Sequence, residues 1–439
     1  MPKRAALGLL LALVGLGVVS AAAPNDLLKT GPFDRGDAAW MLTATALVML
    51  MTPGLAFFYG GMVRGKNVIS TLLQSFIALA VVSLVWVVVG FSLVFGDSIG
   101  GFIGDPRTFF MLRDVTSEVH PTLSPTIPLS LFVLFQLKFA IITPALITGA
   151  FAERVRFSAY VLFMVLFTIF IYAPLAHATW HPNGFLRAWG VLDFAGGTVV
   201  HVSAGVAALA GARFLGRRHD HAQPHAPANI PFVVLGTGML WFGWFGFNAG
   251  SALAADATAI SAFVATNTAS ATAAIAWLLC DAITGKRPSA LGACIGAVVG
   301  LVAITPAAGF VGLGSSIAIG AVAAIISSVA VHLRSKTSID DTLDVFPCHG
   351  VGGLTGMVCT AVFAIQGGLI HGGTKLFLVH LAAIALVVPA IYLLSAVLYR
   401  AVNAVISLRV SEDEERIGLD RSQHAETIYP AAPELVRAA

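Results

Sequence analysis

Apolar residues along this chain come in blocks of about 20, separated by short polar stretches, from one end to the other. A helix of that length rises far enough to cross the hydrocarbon core of a bilayer. The blocks fall at about 38–62, 68–95, 128–150, 157–178, 198–215, 230–253, 259–282, 289–306, 313–333, 350–367 and 374–406. They predict an all-α polytopic membrane protein of about eleven transmembrane helices. The last block is long enough to tilt or to project beyond the membrane.

Composition agrees with the pattern. Of 439 residues, 57% are hydrophobic and only 11% are charged, and the mean hydropathy is +0.88. A soluble domain carries about 25% charged residues, so most of this chain is surrounded by lipid. A net charge of +3, scattered along the sequence, gives no basis for nucleic-acid binding. Cys280, Cys294, Cys348 and Cys359 lie in or beside apolar segments with no CxxC spacing, and read as buried free thiols.

The ends and loops give an orientation. Residues 1–23 resemble a signal peptide: Lys3 and Arg4, then Ala5 to Val19, then the small residues Ala21-Ala22-Ala23. An uncleaved first helix is the alternative. Residues 24–37 would then lie outside the cell. Alternate loops and their flanks carry Arg64, Lys66, Arg154, Arg156, Arg213, Arg217, Arg218, Lys286, Arg287, Arg334 and Lys336. The other loops carry only Arg107, Arg113, Arg187 and Lys375. Basic loops stay on the cytoplasmic side, which predicts the N-terminus outside and the C-terminus inside; the expected location is the cell (inner) membrane.

Short internal matches suggest a repeat. Phe57-x-x-Gly60-Gly61 resembles Phe247-x-x-Gly250-Ser251; His201 is followed by Gly205, and His349 by Gly353. An aspartate precedes each histidine, read as Asp193 and Asp344. The expected organisation is a first five-helix half over 38–215, a cytoplasmic loop over 216–229 and a second, inverted half over 230–367. A last helix over 368–408 and a cytoplasmic tail over 409–439 follow. Glycines inside the spans, such as Gly60-Gly61, Gly196-Gly197 and Gly352-Gly353, let the helices pack closely.

Ionisable residues within spans are functional candidates by default. Lys138, His201, His349 and His380 qualify, with Asp193 and Asp281 near span ends. His201 and His349 occupy matching places in the two halves. Each neutral imidazole offers one donor and one acceptor, so together they can handle a small polar solute. His380 has no counterpart in the first half and reads as packing. Trp180, Phe135, Phe139, Phe247 and Ser251 lie towards the outer side, where aromatic faces attract a cation. Asp193 reads as a helix cap, because a bare carboxylate in a pore would trap a cation. His219-x-His221…His225 reads as solvated surface; no metal or cofactor is implied.

These residues carry a family resemblance. Asp193-Phe194-Ala195-Gly196-Gly197-Thr198-Val199-Val200-His201 resembles the signature of the ammonium transporter family (Amt/Mep/Rh), bacterial Amt type. Four further segments agree: Phe58 to Asn67, Gly149 to Arg154, Trp244 to Ser251 and Asp344 to Gly350. The likeness runs from about Asp37 to Tyr429. It implies two inverted halves plus a last helix, assembled as a homotrimer with a pore in each subunit. It implies that Phe139, Trp180 and Ser251 bind ammonium, and that Phe135 and Phe247 form a stacked gate beside Phe139. His201 and His349 would be the twin pore histidines, and Asp193 a structural aspartate. The tail Leu408 to Asp420 resembles the family's regulatory tail, and bacterial members often bind a PII-type signalling protein there. Lys138 departs from the pattern and would repel ammonium if it faced the pore.

The expected activity is recruitment of ammonium at the aromatic site, loss of its proton, and conduction through the histidine pair. The competing reading is an ammonium sensor that signals through its tail, although no output domain follows Arg409. An intramembrane enzyme is disfavoured: there is no nucleophile motif and no HExxH spacing.

Overall fold

The structure is a computed structural model that describes residues 3–21, 27–221, 223 and 226–428. Ala22 and Ala23 of the expected cleavage site, residues 24–26, His225 and the tail beyond residue 428 lie outside the described residues.

Ten helical spans among the described residues are long and apolar enough to cross a membrane. They are Arg35–Met62, Gly65–Phe95, Leu129–Phe151, Phe157–Trp189, Gly197–Leu215, Ile230–Ala252, Ala257–Ile283, Leu313–Ser335, Phe346–Phe363 and Lys375–Val405. Ala290–Ile304 corresponds to the remaining block, at 289–306. Its 15 residues rise only about 22 Å, and a run of turns carries the chain on to Phe310.

Hydropathy locates these spans but not their internal breaks. The second span is Val68–Phe76, Ala78–Val85, a π-helical turn at Trp86–Gly90, and Phe91–Phe95. The fourth has a π turn at Thr168–Tyr172. Two more open the spans that carry the histidines, Gly197–Val202 and Phe346–Val351. A π turn inserts one residue without changing which residues are apolar, so the apolar blocks do not reveal it.

Small residues bring the halves together. The helices that open them, Arg35–Met62 and Ile230–Ala249, pack along each other. A Cβ on Gly236 would lie 2.3 Å from the Phe58 nitrogen, and one on Gly61 2.6 Å from the Asn229 carbonyl. The histidine-bearing spans cross at a second close approach. A Cβ on Gly205 would lie 2.2 Å from the Gly350 nitrogen; one on Gly353 would lie 3.1 Å from the Gly197 carbonyl and from His201 Cβ. Gly205 and Gly353 each lie four residues after a histidine, so the crossing repeats the same contact with the halves exchanged.

The tail folds back on the loops at its own end of the bundle. Helices Glu412–Ile417 and Leu419–His424 lie against the start of the second span. There the Asp420 carboxylate accepts the Ile69 and Ser70 N–H groups at 3.1 and 2.7 Å. Lys66 Nζ donates to the Glu415 and Arg416 carbonyls, and Arg156 pairs with Glu414. Beneath the tail, buried Arg218 bridges Glu153 at 3.0 Å and Asp340 at 2.9 Å. Buried charges are tolerated when paired and hydrogen-bonded in this way. At the opposite face, residues 96–128 form two short hairpins, Ser98–Ile99 with Ile103–Gly104 and Val119–His120 with Ser124–Pro128.

Candidate functional site

His201 stands where it does because of the loop before it. Gly196 turns the chain at φ +112°, a conformation that favours glycine. The Asp193 carboxylate then accepts the N–H groups of Gly196, Gly197, Thr198 and Val199 at 2.8, 2.6, 2.8 and 3.3 Å. These are donors that a helix start leaves without a partner. Burial raises the pKa of this carboxyl, and the four N–H groups pull it back.

His349 is set the same way, but not by the aspartate expected from the sequence. Asp341, rather than Asp344, accepts the Val345 and Phe346 N–H groups at 3.0 and 2.7 Å. Asp344 instead pairs with Arg334 at 2.7 Å. The spacing was available in the sequence: Asp193 precedes His201 by eight residues, and Asp341 precedes His349 by eight. Nearness to the histidine favoured Asp344, whereas a cap must sit one turn further back to reach the free N–H groups.

The two buried rings meet in the bundle. Their Nδ1 atoms are 3.4 Å apart, with ring centroids 5.5 Å apart and planes inclined by 22°. Trp244 stacks on His201 at 5.3 Å and is fixed by its own bond from Nε1 to Thr305 Oγ1. His201 Nε2 is buried with no hydrogen-bond partner among the described residues.

A file of rings leads from the pair towards the face opposite the tail. Phe247 lies 6.0 Å from His201, Phe139 4.3 Å from Phe247, and Trp180 5.7 Å from Phe139. Phe135 meets Phe139 edge-on at 5.0 Å, so the tightest contact among the three phenylalanines is Phe139 with Phe247. Above them opens a cavity of about 500 Å³ lined by Gln136, Phe139, Thr179, Trp180, Asp193 and Ser251, among others. Trp180 is held from two sides: its Nε1 donates to the Asp193 carbonyl and its own carbonyl accepts from Arg187. Ser251 Oγ donates to the Phe247 carbonyl at 2.8 Å, which leaves its lone pairs for a donor in the cavity. On the tail side, His349 lines a recess of about 10 Å³ with Phe58, Tyr59, Met62, Leu343 and Cys348.

Lys138 is not among the residues that line the cavity. It is half-buried, one turn from exposed Leu134, and its ammonium has no polar partner among the described residues. His380 is buried and bonded at both ring nitrogens. His219 pairs with Glu412 of the tail. Among the described residues no three His, Cys, Asp or Glu side chains converge in a metal-binding group. Sequence reasoning missed Asp341, Trp244 as a stacking partner, and Thr179, whose hydroxyl has no partner among the described residues. The Asp341 spacing was the one signal among these.

The model of the Ammonium Transporter Family matches residues 39–429. An ammonium transporter of Aquifex aeolicus is 47% identical over 403 residues, covering 90% of this chain and 94% of that one. The crystal structure of Saccharomyces cerevisiae Mep2 superposes with a TM-score of 0.82 at 36% identity, covering 87% of this chain and 88% of that one. A protein described as a sensor Amt protein gives a TM-score of 0.82 at 31% identity, covering 89% of this chain and 98% of that one.

Proposed function

The chain belongs to the ammonium transporter family, and from that premise we propose that it moves ammonium through the file of rings between the cavity and the His201–His349 pair. The observation that carries this reading is the unbroken run Trp180, Phe139, Phe247, His201, His349, with neighbouring ring centroids 4.3–6.0 Å apart. In this reading the cavity faces outward, and the tail lies in the cytoplasm of a cell with this chain in its inner membrane. Ammonium is held there over the Trp180 and Phe139 faces, with Ser251 Oγ as an acceptor. Such cation–π contacts are each worth about 0.5–2 kcal/mol, more when dry.

Energies then favour loss of a proton. Taking an ammonium-sized ion into a dry interior costs of order 20 kcal/mol in the Born limit. Removing a proton at pH 7 from an amine of pKa about 9–10 costs about 3–4 kcal/mol. The solute therefore leaves its proton with water in the cavity, passes the Phe139–Phe247 contact as ammonia, with Phe135 supporting Phe139 from the side, and regains a proton from water beyond the histidines. At the histidines, one proton lies between the two Nδ1 atoms. The ring that gives it keeps a bare Nε2, and the ring that takes it keeps an Nε2–H. The pair thus offers ammonia one acceptor and one donor. Asp193 stays outside the chemistry as the cap that orients His201.

We propose further that residues 1–23 are a signal peptide, that three copies assemble around the bilayer normal, and that the tail face receives a PII-type regulator. The support for the first is the order of basic, apolar and small residues from Lys3 to Ala23, and for the other two the family resemblance. A sensor role for the same site is the second reading, favoured by the likeness to the sensor Amt protein. A bacterial strain lacking its own ammonium transporters separates the two. Expression of this chain is expected to restore growth at limiting ammonium. Absence of rescue, with the chain present in the membrane, would favour the sensor.

A further inference from the structure

His380 lies in the last span, away from the file of rings, yet it is tied to the loop that builds the cavity. The Leu192 N–H donates to His380 Nε2 at 3.0 Å. The other ring nitrogen, Nδ1, lies 2.9 Å from the Met357 carbonyl. A carbonyl can only accept and an N–H can only donate, so both bonds require a neutral ring with its proton on Nδ1. His380 is fully buried, so neither bond has water as a ready substitute.

The held loop is the one that sets the outer site. Leu192, Asp193 and Phe194 all line the cavity. The Asp193 carbonyl takes the Trp180 indole N–H, and its carboxylate caps the helix of His201. On the far side of Asp193 the loop is pinned again, where Phe194 N–H donates to the Pro306 carbonyl at 3.1 Å. Asp193 therefore hangs between two anchors, and His380 supplies one of them from a helix that never reaches the cavity. We propose that His380 is a positioning residue for the ammonium site, fixing Trp180 through the Leu192–Asp193 backbone. This rests on reading the cavity as the ammonium site.

Two conservative variants divide the ring's bonds. His380→Gln places a carboxamide oxygen near the position of Nε2 and keeps the acceptor for Leu192. His380→Asn is shorter, keeps a donor near Nδ1 for Met357, and loses Leu192. In proteoliposomes given ammonium jumps, His380→Asn is expected to raise KM about threefold to tenfold, the factor that one neutral hydrogen bond is worth. Its maximal current should stay close to that of the wild type, and His380→Gln should keep a KM near the wild-type value. In parallel, hydrogen–deuterium exchange over residues 190–196 should speed up in the Asn variant only. Equal KM and equal exchange in the Asn variant and the wild type would overturn the proposal. So would equal shifts in both variants, which is what loss of packing alone predicts. A wild type that neither carries current nor raises ammonia permeability would overturn the transport reading instead, and the exchange comparison would still decide whether His380 holds the loop.

Discussion

Imidazoles and carboxylates in this protein are assigned their tasks by the backbone N–H groups and charges around them. Asp193 and Asp341 are buried and meet helix starts, so each is used up as a cap. Asp344, three residues after Asp341, has no cap to make. Burial pushes its carboxyl up to about 7, although Arg334 pulls it down and Asp341 pushes it further up. The folded chain therefore holds a proton on Asp344 at pH values where the unfolded chain, near the ordinary carboxyl value of about 3.9, has lost it. Between those two values a rise in pH costs the folded state stability. Asn keeps the size of the side chain, tolerates the φ of +56° at this position, and has no proton to lose. In detergent, the melting temperature of Asp344→Asn relative to the wild type is expected to rise from pH 5 to pH 8. A difference that is flat or falls across that range would contradict the burial argument.

Helices were legible in the sequence wherever hydrophobicity decides them, and obscure wherever geometry does. The apolar blocks gave most spans to within a few residues, because a bilayer demands length and little else, but the fourth runs eleven residues past its block, to Trp189. The matched histidines marked the crossing of the halves, because a charge-bearing ring in a span is conspicuous. The π turns, the Phe139–Phe247 pairing and the Asp341 cap depend on one-residue offsets that composition does not carry. Close approach is the element-scale feature most exposed to test. A methyl group on Gly205 has 2.2 Å to the Gly350 nitrogen, backbone against backbone, so neither side can turn away. Overpacking costs about 1–3 kcal/mol in ordinary cores, and Gly205→Ala should reach or exceed that. Gly238 has nothing within 4 Å of its Cβ position, and Gly238→Ala in the same helical background should gain about 0.5–1 kcal/mol. Thermal unfolding in detergent ranks the two, and a Gly205→Ala variant as stable as Gly238→Ala would refute the crossing.

At the scale of the whole molecule, the chain combines an apolar exterior, a polar tail face and a narrow aromatic file between two openings. Ala257–Ile283, Leu313–Ser335 and Lys375–Val405 keep much of their apolar surface exposed, as segments facing lipid do. Lys138 is half-buried, one turn from exposed Leu134, and is not among the residues that line the cavity. The central claim is that ammonium crosses by way of His201 and His349. The most direct test is the current on a solid-supported membrane after an ammonium jump, with wild-type and His201→Ala proteoliposomes side by side. The account predicts saturable, ammonium-selective transport in the wild type, seen as current where the released proton also crosses and as a rise in internal pH without current where ammonia crosses alone, and its loss in His201→Ala. Undiminished and equally selective transport in His201→Ala would contradict it, because among the described rings of the file only the His201–His349 pair offers both a donor and an acceptor.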